Sequence, residues 1–249
     1  MAIDSVRYAV AAVTDVGSKR PSNEDAFGFS AEDGVYLVCD GMGGAAAGEI
    51  ASSLAVREML SRLNDRTQVE SGEMLLENLV AEAIRAANEV VHSRAEQNFE
   101  LNGMGTTLVG LATAGRRVLI YNVGDSRCYH LRGGRLEQIS QDHSLVEEQV
   151  RLGRMSHEEA QQSSLRNVIT RALGTQPTVE PDIFEVQTEP GDIFLLCSDG
   201  LTGEVPDALI ESMLAVDLPL DEHCARLVAA ANQAGGHDNI TCLLVRAEG

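Results

Sequence analysis

Val38-Cys39-Asp40-Gly41-Met42-Gly43-Gly44 is the stretch on which the fold turns. The apolar run before it, residues 35–39, has the length and composition of a strand and ends abruptly on a carboxylate. After the glycines, the small residues from Ala45 to Ala51 read as a helix start. Formally, Gly41-Met42-Gly43-Gly44-Ala45-Ala46 fits G-x-G-x-x-[GA] between a strand and a helix, the dinucleotide fingerprint. Two features reject that reading. The next elements are helix and helix again, over 48–63 and 72–98, where a dinucleotide fold returns to a parallel strand. Asp40 would also face the pyrophosphate. The glycine beside Asp40 is instead a place where main chain comes close to whatever sits at the strand end.

Outward from this stretch, the chain reads as strands in antiparallel succession. Residues 8–14 and 26–29 precede 35–39, with Asp33-Gly34 as a turn. After the two helices, 106–112 and 117–123 form strands across Thr113-Ala114-Gly115, and 127–131 pairs with 135–139 across Gly133-Gly134. Ser144-Leu145-Val146-Glu147 fits a capping box that starts a helix. Residues 151–173 are mixed and polar and read as a surface excursion. Strands 184–186 and 193–197, helices 206–216 and 221–233 and a last strand, 240–245, complete the chain. Without repeat, low-complexity tract or linker, this predicts one α+β domain over 1–249.

The 249 residues carry 38 Asp+Glu against 19 Lys+Arg, a formal net charge of -19. That field disfavours nucleic acid and anionic membranes as partners and suits divalent cations. No apolar run approaches the ~20 residues of a membrane span. Met1-Ala2-Ile3-Asp4-Ser5 has no signal-peptide character. The five cysteines lack CxxC spacing and lie in apolar runs, as reduced core residues of a cytoplasmic protein do.

The strand-end grammar recurs. Apolar runs meet Gly124-Asp125, Asp199-Gly200 and, on the amino-terminal side of the last strand, Asp238-Asn239. Any one of these aspartates alone is read as a turn residue. Together, Asp40, Asp199 and Asp238 offer the hard oxygen ligands that Mg2+ and Mn2+ prefer. Two such ions about 3.5–4 Å apart can share a carboxylate and activate the water between them. Asp40 is the natural shared ligand, with the Gly41 carbonyl beside it. Arg20, close to Glu24 and Asp25, belongs next to an acidic metal site only if an anion joins it, and phosphate fits. The competing reading of Arg20 is a surface ion pair. His143 is a candidate acid or a helix-start residue, with the second reading favoured, and His237 reads as a loop residue. No basic neighbour would lower a cysteine pKa, which argues against a cysteine nucleophile.

Arg20-Pro-Ser-Asn-Glu24-Asp25, Val38-Cys-Asp40-Gly41-Met-Gly-Gly, Gly105-Thr-Thr, Gly124-Asp125-Ser-Arg127, Cys197-Ser-Asp199-Gly200-Leu and Asp238-Asn239-Ile-Thr, in this order and across nearly the whole chain, resemble the metal-dependent protein serine/threonine phosphatases of the PPM, or protein phosphatase 2C, family. The resemblance implies two packed antiparallel β-sheets (a β-sandwich) flanked by helices on both sides. It implies two ions, Mn2+ or Mg2+, bridged by Asp40, with the Gly41 carbonyl on the first and Asp199 and Asp238 on the second. Glu24 and Asp25 would act through water, Arg20 would bind the substrate phosphate, and Asp125 with Asp199 would take a third, looser ion. Residues 145–173 would form a flap beside the active site. A metal-bridging hydroxide would hydrolyse phosphoserine and phosphothreonine in proteins, opposing a bacterial eukaryotic-like Ser/Thr kinase and acting on its substrates, in a cytoplasmic monomer. The alternatives are a phosphatase dedicated to one regulatory partner and a non-catalytic phosphoprotein-binding module. Two positions depart from the family pattern. Animal members carry His where Met42 stands, which leaves a metal-bound water to protonate the leaving oxygen, and Ser164-Leu165 replaces a His-Pro found in many bacterial relatives.

Overall fold

The run 35–39 is apolar without alternation because the strand that contains it is covered on both faces. A computed structural model describes residues 6–70, 72 and 74–249. The strands are β1 (Arg7–Asp15), β2 (Asp25–Ser30), β3 (Val35–Met42), β4 (Gly105–Thr106), β5 (Leu108–Ala114), β6 (Arg117–Val123), β7 (Arg127–Arg132), β8 (Arg135–Gln138), β9 (Asp182–Gln187), β10 (Ile193–Cys197) and β11 (Ile240–Glu248). The helices are α1 (Ala45–Leu63), α2 (Thr67–Glu70), α3 (Leu76–Gln97), α4 (Leu145–Arg151), α5 (His157–Gln162), α6 (Asp199–Thr202), α7 (Asp207–Leu214) and α8 (Leu220–Ala234).

One sheet runs β1-β11-β10-β7-β8 and the other β2-β3-β5-β6-β9, with β4 added to the end of β3. Every strand pairing is antiparallel. The fold is therefore α+β, and β3 meets β5 antiparallel, as the rejection of the dinucleotide reading requires. Side chains alternate between two cores. On β3, Tyr36 and Val38 enter the space between the sheets with Phe194, Leu196, Leu243 and Val245. Val35, Leu37 and Cys39 point the other way, into a layer with Met59, Ile84 and Val91 of α1 and α3. Leu195, Cys197, Cys242 and Leu244 face Leu227 and Val228 of α8 on the opposite flank. Helices thus cover both outer faces.

Several boundaries differ from the sequence reading. The helix expected over 72–98 starts at Leu76, and residues 71 and 73 lie outside the description, as do Met1 to Ser5. The strand expected over 106–112 divides into β4 and β5. The break arises because Thr106 N–H turns to Leu173 O while Thr107 N–H returns to Asp40 O. Ser144 caps α4 through its side chain, but the capping box with both reciprocal bonds forms at Ser156 and Glu159, at the start of α5. The excursion at 151–173 therefore contains a helix that its polar composition hid. No helix among the described residues is long and apolar enough to cross a membrane.

Candidate active site

The alternation that sends Tyr36 and Val38 between the sheets sends Asp40 there too, at the rim of the sandwich. Asp25 of β2 is its register partner. From the other sheet, Ser198 and Thr241 occupy the equivalent inward positions, and both hydroxyls donate to Asp25 Oδ2 at 2.7 Å. Asp25 thus joins the two sheets at this rim. Its other oxygen, Oδ1, has no partner among the described residues. Burial, together with the Asp199 and Asp238 charges, pushes the Asp25 carboxyl up to about 7 against the two hydroxyl bonds.

Asp40 is held through its backbone. Its N–H donates to Thr107 Oγ1 at 2.9 Å, and its carbonyl accepts from Thr107 N at 2.8 Å and Thr106 Oγ1 at 2.9 Å. Burial and the charges of Asp25, Asp199, Asp125 and Asp238 hold its carboxyl well above the usual range. Gly41 N–H donates to Glu24 O at 3.1 Å. A Cβ on Gly41 would lie 2.1 Å from Gly48 O, so the glycine-rich run serves close packing of the first turn of α1 on the strand end. Glu24 is buried; its N–H donates to Asn239 Oδ1 at 2.8 Å, and burial is the main force raising its carboxyl.

Asp199 begins α6, and its Oδ1 has no partner among the described residues. Burial and the Asp238 charge raise its carboxyl. Asp238 Oδ2 accepts from Arg20 Nη2 at 2.7 Å, and its Oδ1 takes the Asn239 N–H at 2.8 Å. The predicted phosphate-binding arginine and one predicted metal ligand therefore pair with each other, and the Arg20 side chain stays 45% exposed. Asp125 stands in the middle of the short loop between β6 and β7. Burial, then Asp199 and Asp142, push it up to about 8, since the nearby Arg127 guanidinium is committed to both oxygens of Asp142.

The structure brings Arg20, Glu24, Asp25, Asp40, Gly41, Asp125, Asp199 and Asp238 to one rim. It does not gather them into a closed cage: among the described residues, no three His, Cys, Asp or Glu side chains are disposed to hold an ion by themselves. Hydrated Mg2+ or Mn2+ takes only one or two carboxylates per ion and keeps waters, so an open set with orphaned oxygens suits such ions. Met42 is half-buried beside them and offers no proton.

Sequence reasoning passed over the residues that hold this set: Ser198, Thr241, Thr107 and Asp142. Thr107, Ser198 and Thr241 stand at strand ends inside the motifs quoted above, where they were given no role, and Asp142 lies in the loop between β8 and α4. His143 lies behind the Asp125 turn, with Nδ1 accepting from Gly124 N–H. His237 is an exposed loop residue bonded to Glu204 at 2.6 Å. Burial and the charges of Asp25 and Asp40 raise the Cys39 thiol, the opposite of what a nucleophile needs. Two hollows, of about 560 and 490 Å³, lie elsewhere, one at the Gly34 and Thr113 turns and the other between α1 and α3.

Comparison with known proteins agrees with this geometry. The family model described as protein phosphatase 2C matches residues 18–245. The serine/threonine phosphatase Stp of Listeria welshimeri is 42% identical over 235 residues, covering 93% of each chain. The crystal structure of the Mycobacterium tuberculosis serine/threonine phosphatase PstP/Ppp superposes with a TM-score of 0.89 at 37% identity, covering 98% of this chain and 100% of that one. A second structure, the catalytic domain of PstP in complex with 2 manganese ions, gives 0.87 at 36% identity, covering 98% of this chain and 100% of that one.

Proposed function

Because the chain belongs to the protein phosphatase 2C family of metal-dependent serine/threonine phosphatases, we propose that its carboxylate rim hydrolyses phosphoserine and phosphothreonine in proteins. One observation carries the assignment: six carboxylates share one rim, and Arg20, which lies among them, bonds Asp238. Like charges at this spacing are tolerated in an ionised state only with cations among them.

The unpartnered Oδ1 atoms of Asp25 and Asp199 fit that requirement. Asp40 would bridge two cations, with the Gly41 carbonyl on one and Asp199 and Asp238 on the other. Asp125 with Asp199 would hold a third, looser one, and Glu24 and Asp25 would contribute through water. Bound Mn2+ or Mg2+ supplies Lewis-acid activation of water and neutralises phosphate charge. Ser198 and Thr241 orient Asp25, while Thr106 and Thr107 fix the Asp40 backbone, so both carboxylates are preorganised. Arg20 is exposed, and its fork exchanges Asp238 for two oxygens of the substrate phosphate. Met42 leaves protonation of the serine or threonine oxygen to water.

A site on an open rim suits a phosphate carried on a protein surface. The partners are phosphoproteins, among them a Ser/Thr kinase and its substrates. The whole chain, 1–249, acts as one catalytic domain and as a monomer, with residues 145–173 as a flap beside the site. Five buried, unpaired cysteines suit a reducing compartment, so the reading places the enzyme in the cytoplasm.

The test is hydrolysis of p-nitrophenyl phosphate and of a phosphothreonine peptide with Mn2+, with Mg2+ and with EDTA, beside Asp40→Asn. Turnover that needs metal and disappears in the variant is expected. A folded wild-type protein inert with both ions would leave a phosphoprotein-binding module in its place.

A further inference from the structure

His143 is buried, and none of the chemistry above uses it. Its surroundings are specific. The Gly124 N–H donates to His143 Nδ1 at 3.0 Å, and the His143 N–H returns to Gly124 O at 2.9 Å. Gly124, at φ +107, makes the turn that delivers Asp125, and a Cβ there would lie 2.7 Å from Thr107 Cγ2. Because Nδ1 accepts, the ring proton sits on Nε2, which lies 3.2 Å from Asp182 Oδ2. Arg171 Nη1 donates to Asp182 Oδ1 at 2.9 Å and to Glu180 O at 2.8 Å, and comes within 3.1 Å of Nε2.

The backbone of His143 also meets the far end of the 145–173 segment. Thr170 N–H donates to His143 O at 2.7 Å, and Leu145 N–H donates to Val168 O at 2.8 Å. One ring nitrogen therefore touches the Asp125 turn, and the other donates to Asp182, the β9 carboxylate that also holds Arg171 at the closing end of the segment.

We propose that His143 is a positioning residue that holds the Asp125 turn through Nδ1 and, through Nε2 and the Asp182 carboxylate, holds Arg171 at the base of the 145–173 segment, so that the loosest cation site and the segment share one support. The inference rests on the two-metal phosphatase reading. It differs from a plain helix-start role in that its two halves are separable. Asn places an acceptor oxygen near the Nδ1 position but does not reach Asp182. Gln reaches toward Asp182 and Arg171 but lacks the acceptor close to the backbone.

The experiment compares wild type, His143→Asn and His143→Gln. Mn2+ binding to the metal-free proteins is followed by calorimetry. The half-time of tryptic cleavage in the segment, which carries Arg151, Arg154, Arg166 and Arg171, is followed in parallel. The Gln variant is expected to bind its weakest Mn2+ about tenfold less tightly, the scale of lost support around a metal ligand, with tryptic half-time near wild type. The Asn variant is expected to keep wild-type Mn2+ affinity and be cleaved several-fold faster. Folded variants with equal Mn2+ affinity, or with the two effects in the opposite assignment, overturn the inference alone. A folded wild type that binds no Mn2+ overturns the phosphatase reading beneath it as well. A Gln or Asn protein that fails to fold is replaced by Asp182→Asn, which must speed cleavage without changing Mn2+ affinity.

Discussion

Asp192 and Asp199 flank the same strand, β10, and have opposite fates. Asp192, 2% exposed, receives Arg132 Nε at 2.9 Å and Nη2 at 2.6 Å, Thr188 Oγ1 at 3.1 Å and Glu189 N–H at 2.8 Å. Burial alone would raise its pKa, but Arg132, the Glu189 N–H and His130 hold the carboxyl down to about 2. At the other end, Asp199 keeps an unpartnered oxygen, and burial and Asp238 push it up. A buried carboxylate needs a positive partner or a proton. The chain supplies the partner at one end of β10; at the other end, on the proposed reading, cations from outside would complete the carboxylate. Structural and functional aspartates are thus told apart by what completes them.

Asp40→Asn strikes the unfilled end hardest. It removes the carboxylate proposed to be shared between two ions, so hydrolysis in Mn2+ should fall at least about 100-fold, beyond what losing a supporting residue costs. In EDTA near pH 8 the same variant should melt no lower than wild type, because a neutral amide relieves repulsion. A lower melting temperature there would break the comparison.

Asp192→Asn strikes the filled end. It takes the charge from a buried carboxylate that accepts four hydrogen bonds, with Arg132 itself exposed, and should cost about 2 kcal/mol of stability in denaturant unfolding. Metal dependence should stay at wild type. An unchanged unfolding midpoint would mean that the Arg132 pair is screened by solvent.

The pH profile separates the ends in one protein. The depressed Asp192 contributes stability above the unfolded carboxylate range, about 4, that is lost as pH falls through about 2. The raised Asp25 and Asp125 contribute stability that is present below about 4 and lost as pH rises through about 7 and about 8. In EDTA, melting temperature should fall on both sides of a maximum near pH 4, and Mn2+ should remove the alkaline fall while leaving the acid one. Smallest of all, Arg62→Ala, which breaks the exposed i,i+4 pair with Glu58, should cost less than about 0.5 kcal/mol, a baseline for a surface pair tied to neither end.

The same contrast explains what could be read from the sequence. Strands buried on both faces announce themselves as unbroken apolar runs, so 35–39 and 193–197 were legible, and so were the carboxylates that end them. The antiparallel order followed from short turns such as Gly133-Gly134. Less visible were polar residues whose meaning depends on a distant partner. Nothing near Ser198 or Thr241 in sequence points to Asp25, which lies 173 and 216 residues away. Arg132 and Asp192 are likewise joined only by the fold. The α5 helix, short and polar on its surface, lacked the periodicity that betrays a buried face, although Ser156-His157-Glu158-Glu159 carried its cap.

Mn2+ titration of metal-free wild type, Asp40→Asn and Asp192→Asn by calorimetry at pH 7.5 addresses the difference between the two ends most directly. At least two sites in wild type, affinity in Asp40→Asn weakened by about 100-fold or more, and a wild-type isotherm in Asp192→Asn are the predicted results. Equal Mn2+ binding by wild type and Asp40→Asn would contradict the claim that this rim is completed by cations.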